Sequence, residues 1–526
     1  MAPPAPSGSQ TPLLQDEACA SYEGGWGISW RAAGRTALLS LCGLGLVAAS
    51  WGPSLELLRR RAAAFPPASR PQSTAAELVE PCPAEVSAEG QLPWLHIVGG
   101  PKPVSRSRHW TPRVCVPKYE GPNCSNTTQW HGKVTLCLAG QAIADVHMAT
   151  RGHVSEMFPK HQYELTLPRP MGLLGMAPSK KWVVASSYID TTFQRNPLAF
   201  DLYRLLGGWA PSTRFINLRW HGLDFGLYYV GEQPEVSESR IHLPPAKPNS
   251  PEESGFLLTA DWKKAGVVAV KTANTSTFFN VVHPRAAQVS PGQRSFLQRF
   301  LDEVDRRALA RSTPPGRGGL EEVLDFPSFA RYYIVQELAK DVDGYAFSNF
   351  MSLAGGKLSH ASPWDFDLAF DFDCTPAYFT SVLTGNVSFG VVGWNVENGR
   401  TMGYWTGDDG WGTRVMDFGV NKRQLFLNIW QHAGFAAVFV SSWKAARQGP
   451  LADAALRSLV RQRGEVLEAS ARRDLEIWRS TPRCAFWPCC HPEDSQDFRL
   501  ATQHLEGYLL GRAQWIDDHV DGLLAK

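Results

Sequence analysis

DVDGYAFSNFMSLAGGKLSHASPWDFDLAFDFDC, residues 341–374, carries six acidic residues, every one an Asp, set among aromatic side chains. Asp is a poor strand former, so its recurrence beside Trp364, Phe366 and Phe370 needs a chemical reason. Asp365 and Asp367 flank Phe366 just after Pro363-Trp364, and an extended chain there points both carboxylates to one face. Such a pair suits a hard cation, because Mg²⁺ takes oxygen ligands and binds through one or two carboxylates plus substrate phosphates. A solvated acidic turn is the plain alternative. Against it, the alternating aromatics should be buried and would hold the carboxylates near a core. Upstream, Asp343 follows a helical pattern ending near Lys340, with Ser348 and Asn349 a turn later. In phosphoryl transfer one Asp orients the acceptor hydroxyl, an amide or hydroxyl a turn later helps hold metal, and a second Asp on the next hairpin chelates it. Asp343, then Ser348 or Asn349, then Asp365 keep that order without the familiar HRD and DFG strings.

Outward from this stretch, the chain from residue 96 to 526 reads as one continuous domain. Lys133 to Leu138 and Ala144 to Met148 have strand composition, Tyr163 to Leu167 alternates, and Phe215 to Leu218 with Gly226 to Val230 form a hairpin around His221 and Gly222. A helix over Thr191 to Leu206 ends at Gly207-Gly208. Later segments are mostly amphipathic helices: Arg294 to Arg311, Phe326 to Ala339, Lys422 to Arg447, Ala452 to Arg473 and Phe498 to Leu523. A strand-rich first half and a helix-rich second half make the fold class α+β.

Ahead of this body, residues 1–35 are rich in Pro, Ser, Gly and Ala and read as a disordered tail. Thr36 to Gly52 has no charge and lies between Arg31 and Arg35 before and Arg59 to Arg61 after. At ~1.5 Å per residue it reaches ~25 Å, enough for a short membrane anchor or a signal segment. Residues 53–95 form a Pro-rich linker. The arginines at 59–61 would put the body in the cytosol. The acceptor sequons at Asn123, Asn126, Asn274 and Asn386, and an even set of eight cysteines beyond the apolar segment, favour instead a lumenal or extracellular glycoprotein with disulfides. Cys484, Cys489, Cys490 and His491 are only a loose cluster, short of the paired spacings of structural zinc. With 52 Lys+Arg against 50 Asp+Glu the formal charge is +2, which gives no basic field for nucleic acid.

Longer motifs resemble the CotH kinases, a family named for bacterial spore-coat proteins. ATRGHVSEMFPKHQYELTL (149–167) resembles the family's FPK strand pair, and residues 171–218 resemble its LLGM…W…D…RN…A-x-D region. FGLYYVGEQ (225–233) is similar to its G-x-Y-x-x-x-E hairpin, VQELAKDVDGYAFSNFM (335–351) and SPWDFDLAF (362–370) to its EL-x-K-N-x-D-x-Y and WDFN or WDLD elements, and LEGYLLGRAQWIDDHV (505–520) to its closing helix. The resemblance implies an atypical protein-kinase-like fold and transfer of phosphate from ATP, with Mg²⁺ or Mn²⁺, to Ser or Thr of secreted or surface proteins. It implies Asp343 as the catalytic-loop residue and Asp365 as the metal-binding one, with Asp367 as a second metal contact beside Ser348 or Asn349 of the order above. It also implies Lys160 on the ATP phosphates, Arg151 as accessory, and Glu232 as ion-pair partner of the lysine. Asp190, Arg195 and Asn196 are expected to brace the 191–206 helix. Two departures stand out: Gln233 where the family usually has Lys, and Asp341 where it often has Asn.

A second class stays open, a catalytically weak surface adhesin displaying loops such as 375–415. A GxSxG elbow and an HExxH helix are both missing, which removes the common serine hydrolases and zinc proteases. Glycoside hydrolysis by Asp343 and Asp365 ranks third.

Overall fold

Alternating burial closes the first half into a barrel. Strands β1 (Trp94–Val98), β2 (His131–Leu138), β3 (Gln141–Arg151), β4 (Gln162–Met171), β5 (Ser179–Ala185), β6 (Thr213–Trp220) and β7 (Leu223–Glu232) hydrogen-bond in the order β1-β2-β3-β4-β5-β7-β6. The ring shuts through a parallel β1–β6 pairing in which Leu95 faces Leu218. The side chains of Leu136, Val146, Met148, Leu165, Trp182, Val184, Ile216, Leu218 and Val230 form its packed interior, as expected for period-2 strands with one face in a core. At the β6–β7 turn His221 and Gly222 both have positive φ (48° and 74°), the conformation that two-residue hairpin loops need to match strand twist.

The computed structural model describes Cys82 and residues 91–100, 131–152, 155, 158–261, 263–264, 266–310, 318–341, 343–371, 383–384, 390–397, 401–402, 424–479 and 491–525. The expected tail, apolar segment, most of the linker and most of loop 375–415 lie outside these residues. Among the described residues no helix is long and apolar enough to cross a membrane. Cys82 is disulfide-bonded to Cys137 on β2, and the sequon residue Asn274 is exposed.

Helix α1 (Arg195–Leu205) begins later than Thr191, after a turn whose amides are taken by Asp190, and ends with Gly207 at φ 82°. The second half is less purely helical than its periodicity implied. It holds a five-stranded sheet of β8 (Phe256–Ala260), β9 (Ala269–Lys271), β10 (Phe278–His283), β11 (Asn349–Ala354) and β12 (Lys357–Ser362) in the order β12-β11-β8-β10-β9. Strand β8 is buried at every position, so it shows no alternation, and its neighbour β11 lies about ninety residues along the chain. The helices are α2 (Pro291–Leu309), α3 (Phe326–Ala339), α4 (Gln424–Trp430), α5 (Ala433–Arg447), α6 (Asp453–Ile477) and α7 (Phe498–His519). Ser290 opens α2 with a capping box to Gln293, and Asp497 caps α7 through the amides of Arg499 and Leu500. The expected 422–447 helix is two, broken at His432, whose backbone is extended. Helix α3 is buried on nearly every side and runs directly into the Asp-rich stretch. The fold is thus mixed α+β, with a strand-rich first half and a largely helical second half.

Candidate functional site

Helix α3 stops where Lys340 turns left-handed (φ 45°) and its amide closes on Gln336 O at 2.8 Å. The loop that follows is pinned from several sides. Tyr345 donates to Glu337 at 2.9 Å, and the single Tyr332 hydroxyl lies against both Gly344 O and Asn349 Oδ1. A Cβ on Gly344 would lie 2.0 Å from Gln336 Oε1, so a larger residue there would have to push the Gln336 side chain aside. Asp343 is half-buried in this loop, and its carbonyl accepts the amides of Ala346 and Phe347, both at 2.9 Å.

Asp365 does not lie in an extended strand. Its φ of 67° is left-handed, a conformation Asp tolerates better than most residues, and the chain turns there instead of alternating. The carboxylates of Asp365 and Asp367 nevertheless stay within electrostatic reach of each other. Ser348, from the loop that carries Asp343, donates to Asp365 Oδ2 at 3.3 Å, so the two Asp-bearing loops meet at that contact. Arg151, at the end of β3, stacks over Trp364 at 5.5 Å and donates to Gln162 at 3.2 Å, and its charge acts on both carboxylates. Asn196, in the first turn of α1, donates to Asp367 and accepts the Phe366 amide at 2.7 Å. Asn196 therefore clasps the Asp365–Asp367 loop, a larger role than the helix brace expected of it.

Burial pushes the Asp365 carboxyl up, with Asp261 adding to the rise and Arg151, Ser348 and Lys264 opposing it. Burial pushes Asp367 up to about 7, helped by the charges of Asp365 and Asp190 against Arg151 and Asn196. Asp365 still exposes its surface to water. Asp261 and Lys264, ion-paired at 2.9 Å, belong to this same charge cluster and had no sequence signal, since they follow a strand that pairs only in three dimensions.

Other expected residues go elsewhere. The Lys160 ammonium is fully buried, donates to Asp474, to Leu227 O at 2.6 Å and to Ser186 O at 3.1 Å, and lies 4.5 Å from the Tyr228 ring. Three acceptors use its three N–H donors, which leaves none for phosphate in this arrangement. Glu232 is not its partner. Glu232 accepts the Ser212 amide at 2.8 Å and faces Arg240 at 3.7 Å, while Asp474 of α6 takes the lysine. Asn349 is turned into the core, where its oxygen accepts from Tyr332 and its amide donates to Phe347 O at 2.8 Å, so of the two alternatives Ser348 is the one facing Asp365. Asp190 pairs with Arg195, as its bracing role requires. A second buried pair, Glu337 with Arg512 at 3.1 Å, ties α3 to α7.

The site brings together oxygen donors, two carboxyls that repel each other in partly desolvated surroundings, and flanking cations. A divalent ion would relieve that repulsion, so the donor set of Asp365, Asp367 and Ser348 fits Mg²⁺. In the comparison with protein families, residues 148–516 match the model described as CotH kinase protein. No curated protein matches the chain.

Proposed function

The chain belongs to the CotH kinase protein family, and on that premise we propose that it transfers the γ-phosphoryl group of ATP to Ser or Thr hydroxyls of secreted or surface proteins, with an atypical kinase-like fold built from the barrel and the helical half. The observation that carries the reading is the meeting of the Asp343 loop with the Asp365–Asp367 loop through Ser348. In this reading the acceptor oxygen bonds to the γ-phosphorus, ADP leaves, and the hydroxyl proton passes to the Asp343 carboxylate. Asp365, Asp367 and Ser348 would hold Mg²⁺ or Mn²⁺, which supplies neutralisation of phosphate charge when bound. In this reading Arg151, whose charge acts on both carboxylates, would meet the nucleotide phosphates in place of the buried Lys160, and Lys264 shares the cluster.

Incubating the full chain with radiolabelled ATP and each divalent ion tests this. Transfer that needs metal, is lost in Asp365→Ala and is strongly reduced in Asp343→Ala supports it; equal labelling in both variants overturns it. We also propose a single-pass protein anchored by residues 36–52 with its body lumenal or extracellular, supported by the Cys82–Cys137 disulfide and the exposed Asn274. A body that stays unglycosylated and open to protease from the cytosolic side would overturn that placement.

A further inference from the structure

Away from the Asp365–Asp367 pair, the segment leading into α7 gathers two imidazoles and two carboxylates. Ligand atoms of His491, Glu493 and His504 all lie within 4.8 Å of one another, and the two histidine rings are 4.6 Å apart. Asp494 is only 8% exposed, and its Oδ1 is ion-paired with His504 Nδ1 at 2.8 Å. His491 and Asp494 also line a cavity of about 10 Å³ with Thr191, Arg195, Asp371, Ser495 and Ala501, to which Glu493 and His504 do not contribute. Arg195 in that wall is already held by Asp190 and by Ala369 O at 2.9 Å.

We infer that His491, Glu493 and His504, with Asp494 beside them, bind one divalent transition-metal ion, of which zinc is the best match. Two imidazoles with carboxylates are the donor class of zinc and its neighbours, whereas Mg²⁺ and Ca²⁺ take oxygen alone. The surroundings supply the outer support such a site uses. His491 Nδ1 faces Glu493 at 3.7 Å while its Nε2 lies 3.1 Å from Asp371 Oδ2, so ligation through Nδ1 leaves Nε2–H to donate to a carboxylate. Asp371 ends the turn that starts at Asp365. The ion would therefore fasten the start of α7 to the far end of the loop that carries the paired aspartates, as a structural clamp rather than a participant in transfer.

The test uses the full oxidised chain, stripped with chelator and titrated with Zn²⁺ alone, reading zinc per chain by mass spectrometry, affinity by competition with a chromophoric chelator, and melting temperature. Because the chain's cysteines can also take zinc, the difference between wild type and variant is read. His504→Gln should bind one equivalent less, or at least ~10-fold more weakly, and should lose the zinc-induced rise in melting temperature. Co²⁺ should give the wild type a ligand-field band that the variant lacks. Equal stoichiometry and affinity in wild type and His504→Gln overturn the inference. Should His504→Gln fail to fold, Glu493→Gln, at an exposed position, gives the same reading.

Discussion

Two aspartate sites, one enclosed at Asp474 and one reaching the surface at Asp365 and Asp367, behave in opposite ways. Asp474 is enclosed with Lys160, its charge matched by one ammonium and its oxygen also accepting the Leu227 amide at 2.8 Å. Gly226 has φ 84°, and a Cβ there would lie 2.2 Å from Asp474 Oδ2, so the carboxylate is locked against β7. Asp365 and Asp367 face each other's charge instead, with Asp261 and Asp190 nearby and only partial relief from Arg151 and Lys264. Where charges pair completely the burial holds the barrel to α6, and where like charges are crowded the fold leaves them only partly compensated. An acidic residue in a family motif can therefore serve either architecture or chemistry, and its neighbours decide which.

The contrast can be broken most forcefully at Lys160. Lys160→Met leaves Asp474 buried without a partner and should cost ~3–5 kcal/mol in urea unfolding, while Lys160→Met with Asp474→Leu should regain much of that loss. Full stability in the single variant would show that the pair is not structural. At the other site, Asp365→Ala should lower metal-dependent phosphoryl transfer by ~10²–10³-fold with the melting temperature unchanged or slightly raised, because a repulsive charge is removed. A variant that unfolds instead would erase the distinction between the two sites.

Asn196→Ala sharpens the comparison, since Asn196 holds the Phe366 amide and the Asp367 carboxyl at once. Transfer should fall ~10–100-fold, with weaker metal affinity, and Asn196→Asp should not restore it, because a carboxylate there adds repulsion. The smallest effect is on pH. Asp367 keeps its proton to about 7 in the folded chain against an ordinary 3.8, so between those values the folded state binds more protons than the unfolded one. Stability of the chelator-treated protein should therefore fall as pH rises through that window, and Asp367→Asn should flatten the fall. Parallel stability curves for wild type and variant would show that Asp367 titrates normally.

Local pattern carried much of this molecule. The YELTL alternation, the turn at His221-Gly222 and the Gly207 stop lie where their conformational preferences put them, and α3 runs from Phe326 to Ala339 as its sequence implied. The Asp-rich stretch was legible as an unusual site because aromatics and carboxylates rarely share a segment without cause. Less legible was anything that depends on a distant partner. The uniformly apolar β8 gives no period to read, Lys160 looks like any surface lysine in a strand, and Asp261 becomes a neighbour of Asp365 only because β8 and β11 pair.

Sequence alone determined the α+β class, several barrel strands, helix α3, the family and the position of the aspartates, because these follow from nearest-neighbour preferences and side-chain chemistry. Tertiary structure alone decided that Lys160 belongs to Asp474, that Glu232 faces Arg240, and that Ser348 rather than Asn349 meets Asp365. The reason is that pairing and desolvation of a charge depend on groups hundreds of residues away, such as the 314 positions between Lys160 and Asp474, and no local rule counts those.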